Sequence, residues 1–313
     1  VLTVLSITGP IFMLIAIGYV AVRLGLIQPN NTRALGVFVI DFALPALLFR
    51  ALSKRSNLEL LNPDLLLSYA LGSFLMLGLG IGFGVFVQRR GLQASTVFAM
   101  GMVLSNSAFM GFPIAEELIG AKASAALAVY VMVENLFMLP ILIGCAELGR
   151  KSGSHWAPVI RGILVRLIKN PLILAILSGV ICSLLDVPIV KPLGKTIDLL
   201  AGSSAPVALF YIGCTLAGLT LKGMVTDITS VVIGKLLFHP LCVFLLFLLL
   251  PLEDPTLTQS AIINAAMPMA TIYPLLGQKY GYEGVCSAAL VATTVISFFT
   301  VTGVLYLAQS GFF

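Results

Sequence analysis

The sequence predicts an all-α integral membrane protein of ten transmembrane helices, arranged as two inverted five-helix repeats with broken crossing helices at the fourth and ninth spans. Three observations carry that prediction. The 313 residues are 59% hydrophobic and only 10% charged, with a mean hydropathy of +1.08, whereas soluble domains carry about a quarter charged residues. The apolar residues fall in runs long enough for a helix to cross the hydrocarbon core, which takes about 20 residues. Proline and glycine positions recur at a fixed offset of 161 residues. The alternating segments of about ten residues that mark a membrane β-barrel do not occur.

In chain order the predicted spans are 4–24, 32–52, 65–88, 94–119, 123–147, 163–185, 192–218, 226–250, 257–280 and 284–308. The first is too long for a signal-peptide core and has Arg23 beyond it, so it reads as a retained helix. Because the sequence opens on Val1, the true start is expected upstream. The longest polar connection, from Gly149 to Gly162, is too short for a domain, so the activity belongs in or beside the membrane.

Lys and Arg in the connections set the orientation. Connections one, three, five, seven and nine hold 11 of them: Arg23, Arg33, Arg89, Arg90, Arg150, Lys151, Arg161, Arg166, Lys169, Lys222 and Lys279. The other four hold 6: Arg50, Lys54, Arg55, Lys122, Lys191 and Lys195. Both termini are therefore expected on the non-cytoplasmic side. The net charge of +5 then reflects orientation, and nucleic acid is not an expected partner. The five cysteines (Cys145, Cys182, Cys214, Cys242 and Cys286) form no CxxC and read as small buried hydrophobes.

The repeat sets TGPIFMLIAIGYV, from Thr8, against KNPLILAILSGVI, from Lys169, aligning Pro10 with Pro171 and Gly18 with Gly179. The same offset aligns PALLF, from Pro45, with PVALF, from Pro206, and so Phe49 with Phe210. Identically spaced prolines are the informative part, because Leu and Phe matches are common in apolar sequence. The halves are read as residues 1–155 and 156–313. Five spans per half force the second half to enter the membrane from the opposite side, the architecture of alternating-access transporters.

In such folds the site lies where corresponding spans are interrupted. The fourth span contains SNSAFMGFPI (Ser105 to Ile114) and the ninth contains NAAMPMATIYP (Asn264 to Pro274), with Asn106 and Asn264 lying 158 residues apart. Proline removes a donor, and in hydrocarbon the freed carbonyl costs several kcal/mol unless protein or water covers it. A half-helix N-terminus suits an anion. The amides of Asn106 and Asn264 and the hydroxyls of Ser105 and Ser107 add polar groups. Gly111, Pro113, Pro268, Thr271 and Tyr273 complete the two candidate segments. The bland alternative makes these polar residues interhelical glue and the prolines simple kinks.

Charges inside spans are costly and default to functional hypotheses. Lys235, in GKLLFHP, is either a fixed positive charge facing an anion or the neutraliser of Glu134 or Asp41. His239 reads as a hydrogen-bonded structural residue that is also a candidate for ion coupling. Asp41 and Glu134, the latter beside Asn135, are candidate proton carriers, with structural ion pairs as the alternative. Glu116 and Glu117 read as a solvated rim. Neither a metal site nor a cofactor is expected: the chain has only His155 and His239, with no HExxH, which leaves an intramembrane enzyme without a constellation.

The ten-span repeat, NPLILAILSGV from Asn170, the SNSAFMGFPI break and the lone base of GKLLFHP together resemble the auxin efflux carrier family, and within it the bacterial carriers of malonate and malate. The resemblance implies scaffold and transport helix groups, and a carboxylate held where broken helices cross near the midplane. Carried onto this sequence, the crossing falls at Gly111 to Pro113 and Pro268 to Pro274, with Asn106 as the carboxylate contact. The connection between the halves is far shorter here than in the plant carriers. The expected function is secondary transport of a small dicarboxylate, with malonate first, coupled to a proton or sodium, in a bacterial inner membrane. Membrane lipid, and in one expected assembly a second copy as a homodimer, are its other partners. The alternatives are a sodium-coupled carrier of larger amphipathic acids, similar to bile acid symporters, and a membrane receptor or sensor.

Overall fold

The computed structural model describes residues 2–28, 31–53, 62–149, 156–218 and 225–312. Lys54, Arg55, Arg150, Lys151, His155 and Lys222 lie outside the described residues, as does the side chain of Arg166. The described residues form α1 (Leu2–Arg23), α2 (Thr32–Leu52), α3 (Pro63–Val87), α4 (Leu92–Val103), α5 (107–119), α6 (Lys122–Leu148) and α7 (Trp156–Ile168). There follow α8 (Pro171–Leu184), α9 (Lys191–Gly218), α10 (Val225–Leu249), α11 (Pro255–Ala266), α12 (Tyr273–Gln278) and α13 (Glu283–Gln309). Six of them, α2, α3, α6, α9, α10 and α13, are long and apolar enough to cross a membrane.

The span expected over 163–185 is divided in two. Asn170 has extended backbone and its side chain accepts from the N–H groups of Leu172 and Ile173, at 3.0 and 3.4 Å, with Pro171 at the first helical position. This is a strong helix start, because it satisfies orphan donors and places a residue without an N–H where none is needed. It makes α7 a separate helix ahead of α8.

Most internal prolines do not break their helices. Pro45, Pro113, Pro140 and Pro240 each follow by two residues a wide π-helical turn, at Val39–Ala43, Ser107–Gly111, Val133–Met138 and Gly234–Phe238. A wider turn moves the carbonyl four residues back away from the proline ring, so the helix continues with one bond rearranged. Asp41, Ser107, Glu134, Asn135 and Lys235 all lie in these turns.

The chain forms two compact units, each built from three separated segments. Unit 1 takes Val1–Pro63, Ser107–Val131 and Ile168–Gly218. Its core is a pair of helices in backbone contact. A methyl group at Gly18 of α1 would fall 2.1 Å from the carbonyl oxygen of Phe210 in α9, and one at Gly213 would fall 1.9 Å from that of Ile15. In the same unit a methyl at Gly179 of α8 would fall 3.1 Å from the carbonyl oxygen of Phe49 in α2. Gly18 thus meets Phe210 while Gly179 meets Phe49, so the two sequence-matched glycines exchange the two sequence-matched phenylalanines. Arg50 pairs with Asp198 at 3.6 Å.

Unit 2 takes Asp64–Asn106, Met132–Leu167 and Leu219–Phe313. Gly72 of α3 lies against the backbone of Val243 in α10, and Gly101 of α4 against the ring of Tyr273 and Val231. Small residues of this kind let membrane helices approach closely. Two ion pairs tie helix ends together: Arg90 with Asp227, and Lys279 with Glu147 at 2.6 Å. The Arg90 guanidinium also sits 4.4 Å over the Phe98 ring.

Candidate functional site

Within unit 2 two helices stop at the same place. Helix α4 ends at Val103 and α11 at Ala266, each followed by extended backbone at Leu104 and Met267. The freed strands pair antiparallel: Asn106 N–H donates to Pro268 O at 2.9 Å, and Ala270 N–H donates to Leu104 O at 3.0 Å, with Ser105 opposite Met269. Two backbone bonds therefore cover groups that a break in hydrocarbon would leave exposed. The first break falls at 104–106, at the start of the SNSAFMGFPI segment and ahead of the Gly111 to Pro113 crossing that the family resemblance implies. Gly111 and Pro113 lie in α5, where the π turn keeps the helix continuous.

Lys235 reaches this crossing from α10, fully buried. Its Nζ donates to Ser105 Oγ at 2.6 Å, to His239 Nδ1 at 2.8 Å and to Ala265 O at 3.0 Å. Three neutral acceptors match the three N–H bonds of an ammonium. Hydrogen bonds from a charged donor are worth about 1.5–3 kcal/mol each, the same order as the several kcal/mol that burying the ion costs. Ser105 and Ala265 also mark the C-terminal ends of α4 and α11, whose partial negative charge favours a cation. The i, i+4 spacing of Lys235 and His239 signals one of these bonds in the sequence; Ser105 and the Ala265 carbonyl come from other elements and leave no local signal.

Since an ammonium only donates, His239 Nδ1 accepts and its proton sits on Nε2, which lies 3.1 Å from Ser73 Oγ. His239 is fully buried, with the ring of Tyr69 6.3 Å away. Tyr69 Oη accepts from Asn264 Nδ2 at 2.9 Å. Tyr69 and Ser73, four residues apart in the LLLSYALGSFL run of α3, are members of the site that sequence reading missed. Their i, i+4 spacing on an otherwise apolar helix was the available signal.

Asn106 is 3% exposed, and its Nδ2 has no hydrogen-bond partner. The Ser105 hydroxyl accepts from Lys235, which leaves its own O–H free to donate. Adjacent residues thus present two donors, one of them polarised by a buried cation. Of the remaining candidates, Pro268 and Tyr273 are buried, Tyr273 with its ring against Gly101, and Thr271 is half-buried. Glu134 and Asn135 are half-buried in α6. Ser107, Gly111 and Pro113 are buried in unit 1. Asp41 is exposed in unit 1 and lines a groove of about 590 Å³ with Pro45, Phe49, Pro171 and Ser178. Among the described residues no cluster of His, Cys, Asp and Glu is able to hold a metal, and all five cysteines are free.

A crossing of broken helices around a buried lysine, in a chain this apolar, is consistent with a membrane transport protein. The family model described as "Membrane transport protein" matches residues 4–154 and 154–305, and the chain belongs to that family. It is 33% identical over 313 residues to a protein of Rhizobium meliloti (strain 1021) named "Putative malonate transporter", covering 98% of this chain and 97% of that one. It is 25% identical over 295 residues to "Uncharacterized transporter YfdV" of Escherichia coli (strain K12), covering 92% of each. It is 29% identical over 152 residues to "Auxin efflux carrier component 8" of Arabidopsis thaliana, 46% of this chain and 41% of that one. These are transporters and not enzymes.

Proposed function

We propose that the chain is a secondary transporter of a small organic anion, with malonate the first substrate to test and malate the second, operating in a bacterial inner membrane. The observation that carries this reading is the unpartnered, buried Asn106 Nδ2 beside the Ser105 hydroxyl, with Lys235 behind it. An amide donor and a hydroxyl donor on adjacent residues, with a buried lysine on the hydroxyl, suit a carboxylate, and the full burial of Lys235 strengthens its field on any anion seated there. All three Lys235 N–H bonds are in use, so it acts on the anion through its charge and through Ser105. The name of the Rhizobium relative supports malonate.

Ten spans in two inverted repeats, divided near residue 155, remain our reading of the architecture. The exchanged contacts of Gly18 and Gly179 support it, since partners that swap between matched positions are what a pseudo-two-fold axis generates. The ion pairs support it too. Arg90 with Asp227 and Lys279 with Glu147 join connections three to seven and nine to five, and side chains that bond directly lie at one depth.

A dianion entering a negative-inside cell faces about 4.6 kcal/mol per 100 mV, so concentrative uptake calls for at least two co-transported cations. The experiment is uptake of labelled malonate by proteoliposomes under imposed pH, sodium and voltage gradients. Saturable flux that rises with an inward proton gradient supports the reading. Flux that follows sodium instead moves the coupling to sodium, and saturable binding without flux identifies a receptor. No saturable flux or binding of malonate or malate removes the dicarboxylate assignment.

A further inference from the structure

Two bases, Lys235 and His239, are in direct contact 2.8 Å apart, both fully buried. Neither the crossing backbone nor Ser105 or Ser73 brings a charge into their hydrogen-bonded network. With Lys235 taken as an ammonium, Nδ1 accepts from it and Nε2–H faces Ser73, so the pair holds one positive charge and the imidazole is neutral. A second proton has one place to go, the Nδ1 lone pair. Occupying it turns that acceptor into a donor, and two donors cannot share a hydrogen bond, so the Lys235 contact must open. The Ala265 carbonyl, which accepts from Lys235 beside the imidazole, would accept from the new Nδ1–H. Lys235 would then keep Ser105 and release N–H bonds toward whatever Ser105 and Asn106 hold.

We infer that His239 Nδ1 is a proton-binding site coupled to the anion site, its protonation releasing Lys235 from the imidazole to bind the anion directly. This rests on the anion reading above. The step balances: one proton from water joins the imidazole lone pair, and no covalent bond breaks. Without an anion two adjacent cations repel, and the imidazole stays neutral. With a dianion at Ser105 and Asn106, the doubly protonated pair cancels its charge inside the membrane. Anion and proton therefore promote each other's binding by the same factor, as linkage requires.

Other ionisable groups stand on the helices around the pair. On α3 the facing group is Tyr69, whose ring lies 6.3 Å from the imidazole. On α6 it is Glu134, which acts electrostatically on Lys235. Helices α4 and α11 carry no ionisable residue; α13 carries Glu283, Cys286 and Tyr306, α12 carries Tyr273, and α10 itself carries Asp227, bound to Arg90, and Cys242.

The test is calorimetric binding of malonate to the full chain in lipid nanodiscs, in buffers of differing ionisation enthalpy, over about pH 7–9 where malonate is a dianion. The bound state holds the extra proton, so affinity falls as pH rises. We expect uptake of about one proton per malonate and an apparent Kd that rises up to about tenfold per pH unit. In His239→Gln the proton uptake should vanish and the Kd should become flat with pH. Labelled-histidine ¹⁵N NMR of the unmodified chain gives an answer that needs no variant, because the sequence has only two histidines. His239 should show a neutral, Nε2-protonated ring without malonate and a doubly protonated ring with it. A ring that stays neutral at saturating malonate, or undiminished proton uptake in His239→Gln, overturns the inference and leaves the anion site standing. An unmodified chain that binds neither malonate nor malate at any pH overturns the anion reading, and this inference with it.

Discussion

The core of unit 1 is held together by what its side chains leave out, and the centre of unit 2 by what its side chains supply. Helices α1 and α9 meet backbone to backbone because Gly18 and Gly213 have no Cβ. Around the crossing in unit 2, Ser105, Lys235, His239, Asn264, Tyr69 and Ser73 are buried polar residues joined by hydrogen bonds. The first region should thus be sensitive to volume and indifferent to polarity, and the second the reverse. On the proposed reading, that contrast separates a part that must keep its shape from a part whose polar groups exchange partners with a ligand.

The largest break is expected from Gly213→Ala. Its methyl would lie 1.9 Å from a backbone oxygen, where no side chain can move aside. Overpacking typically costs 1–3 kcal/mol, and here we expect more than about 3 kcal/mol, read as loss of folded protein from the membrane. Next is Lys235→Met, which keeps the apolar stem but leaves Ser105, His239 and Ala265 O without their donor. At about 1–3 kcal/mol per abandoned buried group, thermal stability should fall and malonate binding should disappear. Asn264→Ala removes the bond to Tyr69 and should cost about 1–2 kcal/mol in thermal unfolding. The smallest effect is expected from Arg50→Ala. That ion pair joins two partly exposed side chains, Arg50 and Asp198, at 3.6 Å, and its loss should change stability by no more than about 1 kcal/mol. An Arg50→Ala effect as large as that of Lys235→Met would erase the distinction between a rim charge and the buried one.

The sequence made the apolar helices legible because hydrocarbon imposes one length rule on all of them: the span expected at 32–52 is Thr32–Leu52. It also marked the glycines that allow close approach, through the repeat. Proline was the poorer guide. Pro113 suggested where the fourth span breaks, yet a π turn absorbs it, and the break comes at 104–106, where no proline stands. What ends α4 there is pairing with 268–270, a long-range backbone contact that no local pattern announces. Lys235 and His239 were visible as isolated oddities in an apolar helix. Their contact follows from i, i+4 spacing, but the neutral acceptors that hold the lysine come from other elements, and only the fold brings them together.

Asn106→Ala tests the anion site most directly, because Nδ2 has no partner in the protein to lose. In matched preparations, malonate affinity and thermal unfolding should part company. The account predicts a loss of about 10- to 100-fold in affinity, the worth of a hydrogen bond to a charged group, with the unfolding temperature unchanged. Unchanged affinity, or a loss of affinity that only tracks a loss of stability, would contradict it.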